Sequence, residues 1–140
     1  MSDIHQLLAS RGPGALAERM GIVLHEVSVE RVIASMPVAG NTQPYGLLHG
    51  GASAVLAETA GSLHAAVHAG AGNQAVGLDI SCTHHRSATS GMVTATSTPL
   101  SLGKTIASLS ISIVDDEDRL VCSARLTCLI RQARTNTQGS

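Results

Sequence analysis

The hydrophobic period changes once along this chain, and that change restricts the folds open to it. Through 51–69 the apolar positions Ala52, Val55, Leu56, Thr59, Leu63, Ala66 and Val67 recur at three and four, the period of a helix. Gly70-Ala71-Gly72-Asn73 ends that pattern. Beyond it the period is two. Val76, Leu78, Ile80 and Cys82 alternate with small or polar residues, as do Leu109, Ile111 and Ile113, and then Leu120, Cys122, Ala124, Leu126, Cys128 and Ile130. A less regular strand lies in GMVTATSTPLSLG, and DDED is a hairpin turn. Upstream, GIVLHEVSVERVIASMPVAG predicts two strands that turn near Ser28 to Arg31, preceded by a short helix in SDIHQLLASRGPG with Ser2 or Asp3 as its cap. Strands, one long helix and then four strands predict an α+β fold with an antiparallel sheet against the helix. One helix covers one sheet face, so the Ser- and Thr-rich outer face meets solvent or another subunit.

The chain has 140 residues, enough for one domain, taken as 1–130 with 131–140 as a disordered tail. Its formal net charge is -1 and only 14% of residues are charged, which argues against nucleic acid or an anionic membrane as partner. Tyr45 is the sole aromatic, so there is no platform for base stacking. Cys82, Cys122 and Cys128 are odd in number and apolar in register, which predicts buried, reduced thiols in a cytoplasmic protein. The first residues carry no basic, apolar leader pattern, and no uninterrupted apolar run is long enough to span a bilayer.

Against this low charge density, Glu58 stands out. Between Arg31 and Asp79 it is the only Asp, Glu, Lys or Arg, and it falls inside the helical stretch. A carboxylate buried among apolar groups costs free energy unless donors or water reach it, so its placement suggests function. The ordinary alternative is a Glu that points to solvent or pairs with a distant Arg. Its helical neighbours favour function. Gly51, Val55 and Ser62 share its face. His49-Gly50-Gly51 opens the helix, where free N–H groups and the dipole favour an oxyanion and glycines permit close approach. One helix thus supplies an electrophilic hole and, two turns on, a base or nucleophile.

QPYGLLHGGASAVLAETAGS, followed by VGLDISCTHHRSATSG and PLSLGKT, resembles the hotdog-fold acyl-CoA thioesterases of the phenylacetate-pathway and 4-hydroxybenzoyl-CoA types. It is similar to the bacterial enzymes acting on dihydroxynaphthoyl-CoA and on aryl carrier proteins, over roughly Gly21 to Ile130. The resemblance implies a long helix wrapped by an antiparallel sheet, dimers with a continuous sheet, and a homotetramer built as a dimer of dimers. It implies hydrolysis of an acyl- or aroyl-coenzyme A thioester across the dimer interface. Gln43 and His49 would orient and polarise the carbonyl and the Gly50 N–H would serve the oxyanion. Glu58 of the opposite subunit would be nucleophile or general base, with Ser62 helping to position it or the water. His84 and Arg86 would lie near pantetheine and nucleotide, and Gly103 and Lys104 near the phosphates. Gly51 and Leu63 are further candidate contacts. No metal or other cofactor is implied.

Other readings stay open. The substrate thioester can sit on a carrier protein, in a proofreading role, or the chain can be a non-catalytic acyl-CoA-binding protein. A hydratase of the same fold needs an Asp and His pair in a motif not found here. His64 and His68 have metal-ligand spacing but no third ligand, and are expected at a surface or interface. Of the adjacent His84 and His85, strand alternation lets only one face the site. Tyr45 either lines an acyl pocket or caps its turn.

Overall fold

A computed structural model describes residues 3–134. Six antiparallel strands form one sheet, β1 (Val23–Val27), β2 (Val32–Pro37), β3 (Asn73–His84), β4 (Met92–Leu102), β5 (Ile106–Val114) and β6 (Leu120–Gln132). Their spatial order is β1-β2-β4-β5-β6-β3, so β1 and β3 are the sheet edges. The helices are α1 (Ile4–Arg11), α2 (Ala15–Met20) and α3 (Gly50–Ala69). The expected α+β order is present, with one addition. The short α2 after Gly12-Pro13-Gly14 escaped the periodic reading because six residues hold too few turns to show a period. At the start of α1, Asp3 forms a capping box with Gln6, whereas Ser2 lies outside the described residues. At the other end β6 runs two residues past the expected limit at Ile130, where Arg131 and Gln132 pair with Gln74 and Asn73.

The core lies between α3 and the concave sheet face. Leu109, Ile111 and Ile113 of β5 point inward and Leu126, Cys122 and Cys128 of β6 pack beside them, all fully buried or nearly so. The helix meets this layer through small residues, Ala52, Ala57, Ala60, Gly61 and Ala65. A Cβ on Gly61 would stand 2.7 Å from a Leu126 methyl and 3.2 Å from an Ile111 methyl, so the helix and sheet approach too closely there for any side chain. The buried helix face therefore overlaps the expected one only at Ala52 and Leu56. Val55, Thr59, Leu63, Ala66 and Val67 are only partly covered, because alanine and glycine sit against the sheet.

His64 corrects the expectation of a surface histidine. It is 0% exposed, with Nδ1 3.0 Å from Ser97 Oγ and Nε2 2.7 Å from the Val29 carbonyl. A carbonyl only accepts, so Nε2 carries the proton and Nδ1 takes the Ser97 hydroxyl. The ring ties α3 to the β1–β2 turn and to β4, and neither nitrogen is left for a metal.

Edge strand β3 departs from simple alternation. A bulge between Gly77 and Asp79 leaves Leu78 as the extra residue, 57% exposed. Before the bulge Ala75 faces the core, and after it Ile80 and Cys82 do, so Val76 and Leu78 do not share their face. Gly77 consequently points at α3.

Candidate active site

The chain Asn41–His49 delivers the residues at the start of α3. Gln43 Oε1 accepts from the backbone N–H of Tyr45 and Leu47, which fixes the side chain and leaves its amide NH2 to donate outward. Tyr45 itself is 89% exposed in the single chain. His49 is the N-cap of α3, and its Nδ1 accepts from the Gly51 N–H at 2.8 Å. Accepting at Nδ1 places the neutral ring's proton on Nε2, which makes that atom a donor. The Gly50 amide is the first of the helix and has no intrahelical acceptor. His84 packs flat against Gly50, where a Cβ would come 3.0 Å from its Nε2.

Gln43, Gly50, His84 and Arg86 line one cleft of about 370 Å³, with Leu48 and Ser53 at its base. His85 lines it too, contrary to the alternation argument. The reason is that regular pairing of β3 ends at His84, and beyond it the N–H groups of both His85 and Arg86 reach the one carbonyl of Val121, at 2.7 and 3.4 Å, so strict alternation no longer holds.

Glu58 lies elsewhere. With Ser62 and Leu63 it opens on a second cleft of about 300 Å³, whose other walls are Pro13, Leu16, Val55 and Thr59. In the single chain Glu58 is exposed rather than buried, which corrects the expectation of an enclosed carboxylate. Among the described residues it enters no ion pair. Its carboxylate leans over β3, where a Cβ at Gly77 would be 2.8 Å from Oε1. The Cys128 thiol beneath it is pushed up by burial and by the Glu58 charge, and drawn down by a hydrogen bond with Ser62. Cys82 is likewise raised, mainly by burial, with the Glu58 charge adding to it. Both thiols beside Glu58 are thus held toward their neutral form.

Gly103 and Lys104 form a third locus at the β4–β5 turn, a cleft of about 390 Å³ shared with His68. Gly103 is needed there because a Cβ would meet Ile106 O at 2.6 Å. His68 Nε2 donates to the Gly103 carbonyl at 2.7 Å and holds the turn against the end of α3.

Residues 45–122 match the family described as the Thioesterase superfamily, more than half of the chain. This chain belongs to that superfamily. The thioesterase is 40% identical over 126 residues to the proofreading thioesterase EntH of Cronobacter sakazakii, covering 89% of this chain and 92% of EntH. It is 40% identical over 126 residues to the 1,4-dihydroxy-2-naphthoyl-CoA hydrolase of Escherichia coli, covering 89% and 93%. The crystal structure of a Haemophilus influenzae thioesterase superposes with a TM-score of 0.85 at 36% identity, over 95% of this chain and 91% of that one. The architecture is the hotdog fold, and the chemistry is thioester hydrolysis. No helix among the described residues of the thioesterase is long and apolar enough to cross a membrane.

The sequence did not single out Pro13 and Leu16, which wall the Glu58 cleft, or Gly77, which lies against the Glu58 carboxylate. The first two are far from Glu58 in sequence and carry no local signal. Gly77 did carry one, since glycine inside a strand marks a bulge or a close approach.

Proposed function

We propose that the chain hydrolyses acyl- or aroyl-coenzyme A thioesters in a site shared by two copies, with Glu58 from one and Gln43, His49 and Gly50 from the other. The observation that carries this reading is the separation of the two clefts within one chain. Glu58 is eight residues past Gly50 on α3, about 12 Å along the axis, and the two residues line no common cleft. An oxyanion donor and a nucleophile must both lie about 3 Å from one carbonyl group, so a second copy must bring its half. The twelve-residue β3 edge, paired only with β6, offers a way to join two sheets into a continuous one. Pairs of such dimers would give the tetramer.

In this site the Gly50 N–H, the Gln43 amide and His49 Nε2–H polarise the thioester carbonyl. Glu58 either attacks the carbonyl carbon, breaking the C–S bond and leaving a mixed anhydride that water then hydrolyses to the acid and free Glu58, the thiolate taking its proton from water, or takes a proton from water as that water's oxygen bonds to the carbon and passes the proton to the sulfur as the C–S bond breaks. Ser62, one turn away, orients carboxylate or water. His84 and Arg86 border the path of the pantetheine arm, and Gly103 and Lys104 supply a turn and a cation for phosphate. Gly51 holds the His49 ring in place and Leu63 meets the acyl group. The chemistry needs no metal or added cofactor, because a thioester carbonyl is already strongly electrophilic.

The test is release of free thiol from a panel of aroyl- and aliphatic acyl-CoAs by wild type and Glu58→Ala side by side. Turnover that depends on Glu58 supports the reading, and turnover retained by Glu58→Ala overturns the assignment. Similarity to EntH favours a second substrate form, the misacylated carrier protein. Comparing turnover on coenzyme A and carrier-protein thioesters of one acyl group decides between them. Thioester binding without turnover would mark a non-catalytic binding protein.

A further inference from the structure

Leu16 is an exposed leucine with no evident structural duty, and it stands beside the reactive carboxylate. It is 56% exposed, yet its backbone is firmly held. The next residue, Ala17, is buried and its carbonyl accepts from the Ile22 N–H at 2.9 Å. At the end of α2, Asn41 Nδ2 donates to both Met20 O and Pro37 O at 2.8 Å. Gly21 fits so tightly against Pro37 that a Cβ would lie 2.9 Å from its ring. Leu16 is therefore presented from a fixed scaffold.

The cleft it walls is chemically one-sided. Pro13, Leu16, Val55 and Leu63 are aliphatic. Thr59 spends its hydroxyl on the Val55 carbonyl at 2.7 Å and so offers mainly its methyl. The polar groups that remain are Glu58 and Ser62. A carbonyl carbon within attacking distance of Glu58 has its acyl group joined to it directly, so the acyl body must begin in this cleft.

We infer that Leu16, with Pro13 beside it, is a specificity-determining wall that selects thioesters with a bulky apolar acyl group and disfavours short or anionic ones. This rests on the reading of Glu58 as the catalytic carboxylate. The chemical class is a hydrophobic aroyl or medium-chain acyl group, since nothing on the wall hydrogen-bonds a polar substituent and the Glu58 charge repels a second carboxylate.

The experiment compares kcat/KM on butyryl-, decanoyl-, benzoyl- and succinyl-CoA for wild type, Leu16→Ala and Leu16→Trp, each checked for wild-type thermal stability. Truncation removes apolar contact from a large acyl group only, so the decanoyl-to-butyryl ratio falls about tenfold in Leu16→Ala. In Leu16→Trp the benzoyl-to-decanoyl ratio changes by a similar factor as the space is reshaped. Ratios that stay within twofold of wild type in both variants overturn the wall. Binding of a non-hydrolysable decanoyl-CoA thioether is measured in parallel. If wild type releases no thiol, the hydrolytic reading fails, but Kd for the thioether still decides the wall. About tenfold weakening in Leu16→Ala upholds it, and unchanged Kd removes it.

Discussion

The carboxylate of Glu58 rests over the bare backbone of Gly77, so close that one added methyl would stand 2.8 Å from Oε1. The helix supplies the carboxylate and the edge strand supplies the space. Gly77→Ala should therefore displace a flexible side-chain tip while leaving the core alone. Its melting temperature should match wild type, since alanine suits a strand better than glycine. Its kcat should fall about tenfold to a hundredfold, because misplacing a reacting group by an ångström costs on that order. Thermal melts and thiol-release kinetics on the same preparation check both halves.

At the head of α3 the contact between Gly50 and His84 makes a second prediction. A Cβ at Gly50 would press on the His84 ring at 3.0 Å. Gly50→Ala should lower kcat/KM, and a double-mutant cycle with His84→Ala should be non-additive, with part of the loss relieved once the ring is gone. Additive losses would mean the two residues act independently.

His64 is a structural residue by its contacts, and its replacement should act on stability. His64→Ala leaves the Val29 carbonyl and the Ser97 hydroxyl without partners and opens a void under α3. The expected cost is about 2–4 kcal/mol, read as a shift in the denaturant midpoint. Residual folded protein should keep its turnover.

The thiols make a chemical prediction. Burial, with neighbouring Cys82, pushes Cys122 up to about 12. Cys128 is also raised by burial. Only the thiolate alkylates readily, so neither should react with iodoacetamide in the native protein at neutral pH, and both should react after denaturation. Peptide mass mapping before and after unfolding reads this directly.

These residues also mark what the sequence could express. The β5 and β6 alternations, Leu109 to Ile113 and Cys122 to Ile130, were legible because each strand buries one face, and Leu109 pairs with Leu126 in register. Leu120, expected on the same face, is 41% exposed because the register shifts between Ile113 and Val114 and Val121 is buried instead. The long helix was legible in extent, from its glycine stop and spacing. Its buried face was legible only at Ala52 and Leu56, because much of the remaining contact with the sheet is made by alanines and Gly61, whose small size is a packing demand from Leu126 and Ile111 and not a periodic signal. His64 looked like a surface residue because its partners, Val29 and Ser97, are remote in sequence. Gly50 and Glu58 stood out by chemistry and Gln43 by resemblance, but their distribution over two clefts depends on how α3 lies across the sheet. Leu16 became visible only when α2 was placed against Glu58, whereas Gly77 carried the signal of a glycine inside a strand but not the identity of its neighbour.

The most direct measurement mixes two variants, Glu58→Ala and Gln43→Ala, each carrying one lesion. The chains are co-unfolded, refolded together, and assayed for thiol release from an acyl-CoA that wild type turns over. If Glu58 and Gln43 meet across two copies, each mixed dimer regains one intact site, and random pairing returns about a quarter of wild-type activity while either variant alone stays near background. If both residues serve one site within a chain, every site keeps a lesion, and a mixture no more active than its components would contradict the shared site.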